Sequence, residues 1–310
     1  MLVCGVSKRA FYSIKKHKIG LNTCLNTQCH RQRLRNMFKS NLKKTSSLLL
    51  IGTLSLLTLG TVAAEGAALD TTDMVGVSFW LATAMMLAST VFFILERNNV
   101  AAKWKTSMTV AALVTGVAWY HYTYMRTHWA NSIAVGGSHP GVGDSPLVLR
   151  YIDWLITVPL QVSEFYLILA AVGVATAALF WRLLVASLVM LITGFLAESG
   201  EMADSLTWPL FIVGMLAWIY IMYEIWAGEA KEKVGQTSEG TQFAFKAMAL
   251  ILTFGWAIYP IGFALGQGDG GTDGLNILYN IADVVNKTAF GLMVWYAATM
   301  DTKASASAEE

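Results

Sequence analysis

Seven long apolar runs follow residue 74, at about 75–95, 105–125, 147–172, 175–197, 206–226, 241–265 and 275–300. Each is long enough to cross a bilayer, for which about 20 helical residues suffice. None alternates with a period of two, and all are too long for strands, so the pattern predicts helices. The connecting stretches are short and polar. The expected fold is an all-α membrane protein, a seven-transmembrane-helix bundle forming one domain over 65–300. The chain has no internal repeat and no nucleotide-binding glycine pattern.

The polar positions inside these runs carry the chemistry. Lys287 lies in the middle of the last run, with Asp283 one helical turn before it on the same face. An ionisable group at that depth costs at least ~3 kcal/mol and normally marks function. Snorkelling to the surface fails on position, because apolar residues continue for more than three turns beyond Lys287. A buried amine can pair as an ammonium, act as a base, or condense with a carbonyl compound as a Schiff base.

On the third run, Arg150, Asp153, Thr157, Gln161 and Glu164 recur at intervals of three and four. They share one helix face, which must look into the bundle because lipid cannot satisfy it. Glu164 stands about 16 Å along the axis from Asp153 at 1.5 Å per residue. Arg150 and Asp153 alone could be a structural ion pair, Thr157 alone a hydroxyl bonding its own helix, and Pro159 a kink. An isolated buried carboxyl such as Glu164 has no structural purpose and is expected to be neutral at rest. These residues by themselves also fit a generic proton-coupled transporter.

With 55% hydrophobic and 14% charged residues in 310, the chain is too apolar for a soluble domain. Its net charge of +2 hides an asymmetry: residues 1–64 carry eleven Lys/Arg and no acid, whereas the remainder stands at −9. The basic block leads into an apolar core at 48–59 and then Val62, Ala63 and Ala64, the order of a secretory signal peptide. No nucleic-acid partner is therefore expected. Met37 opens a signal of ordinary length, 37–64, leaving 1–36 as an over-extended start or dispensable extension; an organelle transit peptide is the rival reading. Cys4, Cys24 and Cys29 all lie in that extension, so the mature protein is expected to have neither disulfides nor a metal site. The tail 301–310 is small and polar, and is expected to be disordered and cytoplasmic.

Loop charge orients the bundle. Arg97, Lys103 and Lys105, then Arg182, then Lys231 and Lys233 fall in alternate loops. The other set holds Asp144, then Glu198, Glu201 and Asp204, then Asp269 and Asp273, with Arg126 the exception. The basic set belongs in the cytoplasm. A cleaved signal leaves the new N-terminus outside, and seven crossings bring the C-terminus inside. Both signals predict a multi-pass protein of the cell (inner) membrane with the same orientation.

The stretch Arg150-Tyr151-Ile152-Asp153-Trp154-Leu155-Ile156-Thr157-Val158-Pro159-Leu160 resembles the third helix of microbial rhodopsins. So do Gly255-Trp256-Ala257-Ile258-Tyr259-Pro260 for the sixth helix and Asp283-Val284-Val285-Asn286-Lys287 for the seventh. The resemblance runs over 74–300 and is greatest to the proteorhodopsins of marine bacteria; the loop at 127–145 looks longer than is usual for them.

The resemblance implies that Lys287 binds all-trans-retinal as a protonated Schiff base. Asp153 would be the counterion and proton acceptor, Asp283 the second counterion, and Arg150 would brace both. Glu164 matches the proton donor, and His121 the histidine that tunes the pKa of the acceptor. By itself, a His within Trp119-Tyr120-His121-Tyr122 is more often a satisfied core or interfacial residue. Trp154, Thr157, Gln161, Trp218, Trp256, Tyr259 and Pro260 would line the retinal pocket, although aromatics in a bundle are mostly packing or belt residues.

The trio Asp153, Thr157 and Glu164 is the outward proton-pump pattern; the sodium- and chloride-pump patterns do not match. A light-driven outward proton pump is thus expected, an ion transporter rather than an enzyme, with lipid and protons as its partners. A photosensory rhodopsin signalling through a transducer is the alternative, against which Glu164 counts. Gln161 matches the position at which the family tunes colour, and predicts blue absorption. A lone intramembrane Gln would by default bond a backbone carbonyl on a neighbouring helix. The sequence leaves open the oligomeric state, a homo-oligomer included, together with photocycle rate and an accessory carotenoid.

Overall fold

The computed structural model describes residues 69–134, 145–200, 202–266 and 273–307. The expected extension and signal peptide, 1–64, lie outside them. Seven helices form the bundle: α1 (Met74–Glu96), α2 (Lys105–Ala134), α3 (Leu147–Ala171), α4 (Ala177–Glu198), α5 (Asp204–Trp226), α6 and α7. α6 comprises Glu239–Leu250 and Trp256–Gly266, joined by a π-helical turn, Ile251–Gly255. α7 comprises Asp273–Val284 and Phe290–Ser307, joined by a second π turn, Val285–Ala289. Consecutive helices pack side by side, and α7 closes the bundle against α1.

The arrangement is polar within and apolar without, as a lipid environment requires. Arg150, Asp153, Thr157, Gln161 and Glu164 are buried, whereas Leu81, Leu216, Ile219 and Phe254 are exposed. Five helical stretches are long and apolar enough by composition to span a membrane. α2 and α7 fall below that measure, α7 because it turns Asn276, Asn280, Asp283, Asn286 and Lys287 inward.

Ends are set by local chemistry. The side chains of Asp73, Thr176 and Ser238 each accept a hydrogen bond from the backbone N–H three residues on, capping α1, α4 and α6. α3 stops at Ala171, and two residues later Gly173 takes φ +81°, a backbone that only glycine adopts cheaply.

Two expectations need correction, and one loop holds an unexpected helix. The tail is not disordered up to Ser307: α7 runs on through it. Asp301 pairs with Lys103 at 2.7 Å and accepts from Trp104 Nε1 at 2.8 Å, while Thr302 Oγ1 accepts from Ala101 N, so polar contacts replace the missing apolar face. The long loop expected at 127–145 is helical as far as Ala134, anchored where Trp129 Nε1 donates to the Asp73 carboxylate. The loop after α5 contains a short helix, Glu229–Val234, whose Ala230 and Val234 are buried. Its Glu229 accepts from Thr176 Oγ1 at 2.5 Å and Arg182 Nη2 at 2.7 Å. These two donors hold the Glu229 carboxyl below the usual glutamate range, the Thr176 bond first.

Candidate functional site

α3 and α7 bring their polar stripes face to face. Lys287 Nζ lies 3.0 Å from Asp153 Oδ2 and 2.9 Å from Asp283 Oδ2, and all three side chains are buried. Two carboxylates around one ammonium leave a negative excess, which the buried Arg150 guanidinium offsets. Hydrogen bonds complete the cluster, as a buried charge requires. Asp283 accepts from Tyr122 OH at 2.8 Å, from Tyr259 OH, and from Trp154 Nε1 at 3.4 Å. Asp153 has His121 Nδ1 at 3.3 Å from its Oδ1, a nitrogen that also lies 3.0 Å from the Val117 carbonyl.

Two assignments change on these distances. Arg150 makes no hydrogen bond to either aspartate; its Nη2 donates to Asn280 Oδ1 at 2.8 Å and Asn276 Oδ1 at 3.3 Å. It acts on the cluster by charge across asparagines, neither as a direct brace nor as the structural partner of Asp153. Thr157 lies beside Asp153 and not on the cavity wall: its hydroxyl donates to the Asp153 carbonyl at 3.0 Å, with Oδ2 at 3.4 Å.

Glu164 stands apart from this cluster on the same face of α3. It is 1% exposed, and neither carboxyl oxygen has a hydrogen-bond partner among the described residues. The polar neighbour facing it is Ser107 of α2.

A cavity runs from Lys287 between α3, α4, α5 and α6, enclosing about 850 Å³ counted to its open mouth. Trp154, Trp218, Trp256, Tyr259, Pro260 and Gln161 line it, six of the seven residues expected there. Its walls are otherwise largely apolar, and the Trp218 Nε1–H is buried without a partner among the described residues. An aromatic-walled space ending at a buried amine has the chemistry to hold an apolar carbonyl compound.

The two π turns meet beside this cavity. A Cβ on Gly255 would collide with Asn286 Oδ1, so their close approach requires glycine. Asn286 donates from Nδ2 to Tyr259 OH at 3.2 Å, and its carbonyl accepts from Gln161 Nε2 at 2.6 Å. π turns release backbone carbonyls from the helical ladder and gather at functional sites.

Reading the sequence missed Tyr122, Asn276, Asn280 and Asn286. A signal for Asn276 and Asn280 was present, because 276, 280, 283 and 287 follow the same three-and-four spacing that singled out α3. Tyr122 carried none, since Trp119, Tyr120 and Tyr124 surround it and only the packing says which hydroxyl points inward.

The description "Bacteriorhodopsin-like protein" belongs to the family whose model matches residues 73–300. The chain is 52% identical over 258 residues to the green-light absorbing proteorhodopsin of Gamma-proteobacterium EBAC31A08, covering 82% of this chain and 98% of that protein. It is 51% identical over 259 residues to the blue-light absorbing proteorhodopsin of Gamma-proteobacterium Hot 75m4, covering 82% and 97%. The crystal structure of a blue light-absorbing proteorhodopsin from Med12 matches with TM-score 0.60 at 55% identity, covering 74% of this chain and 99% of that one. Xanthorhodopsin, a light-driven ion pump with dual chromophore, matches with TM-score 0.66 at 26% identity, covering 75% and 95%. With a retinal chromophore implied by these relatives and seven helices in a membrane, the chain belongs to the bacteriorhodopsin-like family, among the proteorhodopsins.

Proposed function

We infer that this protein is a light-driven proton pump that moves protons out of the cell. The observation that carries this reading is the placement of Lys287 Nζ between two buried carboxylates at the end of an aromatic cavity, with an unpartnered Glu164 further along α3. All-trans-retinal, joined to Lys287 as a protonated Schiff base, supplies the light-driven change of geometry at that nitrogen.

The chain's own groups do the rest. Asp153 and Asp283 hold the proton on Nζ in the dark, since burial alone pushes an amine towards neutrality. Asp283 is fixed by Tyr122, Tyr259 and Trp154, and serves as the counterion that stays put. Asp153 has the freer oxygen and takes the proton, while His121 sets its affinity. Glu164, kept neutral by its apolar surroundings, returns a proton to the nitrogen from the other side. Direction follows from loop charge, which puts Arg150 towards the outside and Glu164 towards the cytoplasm. In this reading residues 37–64 are a cleaved signal peptide, and N-terminal sequencing that finds residues 1–36 in the mature protein would overturn that part.

The test is to illuminate cells that express the protein with retinal while recording external pH. Acidification that a protonophore abolishes is expected. A pigment that forms but moves no protons, with a slow photocycle, would favour the photosensor. Absence of visible absorption after retinal is added would favour a retinal-free transporter.

A further inference from the structure

In the pump reading, Glu164 must regain a proton from the cytoplasm after each cycle, yet it is 1% exposed. It lies about two turns before α3 stops at Ala171, beside Ser107 of α2, which is buried too. Towards that end of the bundle, Ile168 stands one turn on along α3 and is fully buried. Trp104, one turn before Ser107 at the head of α2, is fully buried as well. A carboxyl enclosed in this way meets water only when something moves.

The turn Ala102–Trp104 packs against α3, and α2 packs against the last part of α7. The Trp104 indole therefore fills the wedge between α2, α3 and α7 on the cytoplasmic side of Glu164. Its Nε1 donates to Asp301 Oδ2 of α7 at 2.8 Å. The same oxygen lies 2.7 Å from Lys103 Nζ, and the Asp301 side chain is 14% exposed. An indole has one donor, so the bond to Asp301 is the whole of its polar anchoring. The ring thus has a dry carboxyl on its inner side and a group at the water's edge on its outer side.

We propose that Trp104 is the gate between Glu164 and the cytoplasm, its indole closing the wedge and the Asp301 carboxylate latching it shut. The proposal rests on the donor role inferred for Glu164. When the bond to Asp301 breaks and the ring swings aside, water reaches Glu164. A proton then passes from that water to the Glu164 carboxylate, which becomes the neutral acid again. Lys103 holds Asp301 in place. Trp104 and Asp301 exchange no proton themselves; both are positioning residues.

A purely structural tie between the first loop and α7 is the competing role. To separate the two, the full chain with retinal, in lipid vesicles and in the dark, is transferred to heavy water. The infrared band of the Glu164 carboxyl, identified by its absence from Glu164→Gln, reports exchange of that one proton. The amide band reports exchange of the backbone. Trp104→Ala should speed carboxyl exchange at least about tenfold, because exchange of an enclosed group follows the fraction of time it is open. Asp301→Ala and Trp104→Phe each keep a ring in the wedge and remove the latch. Each should speed carboxyl exchange about fivefold, the worth of one net hydrogen bond. Backbone exchange should stay at the wild-type rate in all three. Carboxyl exchange at the wild-type rate, or backbone exchange that rises in step with it, would overturn the gate. Where Trp104→Ala forms no pigment, since emptying an indole site is among the costliest core changes, the other two variants decide. A wild type without a protonated Glu164 band would instead remove the donor role, so the two failures are distinguishable.

Discussion

Gln161 donates its side-chain amide to the backbone carbonyl of Asn286, the residue before Lys287, at 2.6 Å. This is the cross-helix bond that a lone intramembrane Gln makes by default, and it does not exclude a part in setting colour. The bond fixes the amide dipole against the cavity wall, next to Lys287. Exciting a protonated retinal Schiff base moves positive charge away from the nitrogen. A fixed dipole that favours the ground-state charge distribution therefore widens the gap. Blue absorption is expected for the wild type, with Gln161→Leu shifting the band to longer wavelength and costing ~1 kcal/mol from the lost hydrogen bond. An absorption spectrum decides it; a green wild type or an unmoved band in the variant would sink the idea.

Lys287→Ala removes the only buried amine of the ion cluster. No visible pigment should form with retinal, because nothing remains to condense with the carbonyl. Addition of a small alkylamine as a retinal Schiff base tests whether the cavity survives. A normal band in Lys287→Ala without added amine would defeat the central assignment.

Asp153→Asn and Glu164→Gln should fail differently. Loss of the acceptor should abolish light-driven acidification. Loss of the donor should slow return of the proton to the nitrogen by ~10²-fold, with speed recovered at low pH or with added small acids. Flash photolysis across pH reads both, and equal photocycle rates for wild type and Glu164→Gln would withdraw the donor role.

Gly255→Ala puts a methyl group where Asn286 Oδ1 now stands. Either Asn286 gives up its bond to Tyr259 or the two π turns part, so the substitution should cost ~1–3 kcal/mol, the usual range for overpacking. Faster thermal bleaching of the pigment would report it; wild-type stability would show that the turns separate freely.

Glu229 provides the pH-dependent prediction. Its folded pKa is depressed by the Thr176 hydroxyl and then by Arg182, so its contribution is present above the ordinary glutamate pKa and disappears as pH falls through the folded value. Glu229→Gln should lower the melting temperature at neutral pH, and the gap from wild type should close in acid. A gap independent of pH would mean that the charge on Glu229 does not matter.

The sequence by itself determined the seven helices and the face that each chemical residue occupies. Hydrophobic length and three-and-four spacing are local properties, and a bilayer tolerates few other ways to bury Lys287, Asp153 and Glu164. Resemblance then supplied their roles. Tertiary structure alone decided which groups touch. Arg150 and Asp153 share one stripe, yet the guanidinium binds asparagines of α7, because its partner depends on how far α7 is turned and not on spacing along α3. The π turns were illegible for a similar reason. A backbone departs from the α-helix there only where Gly255 and Asn286 pack against each other and Gln161 takes the released carbonyl. Glu198 read as a loop charge useful only for orientation; the fold turned it inward, where Tyr151 binds it and Arg150 acts on it.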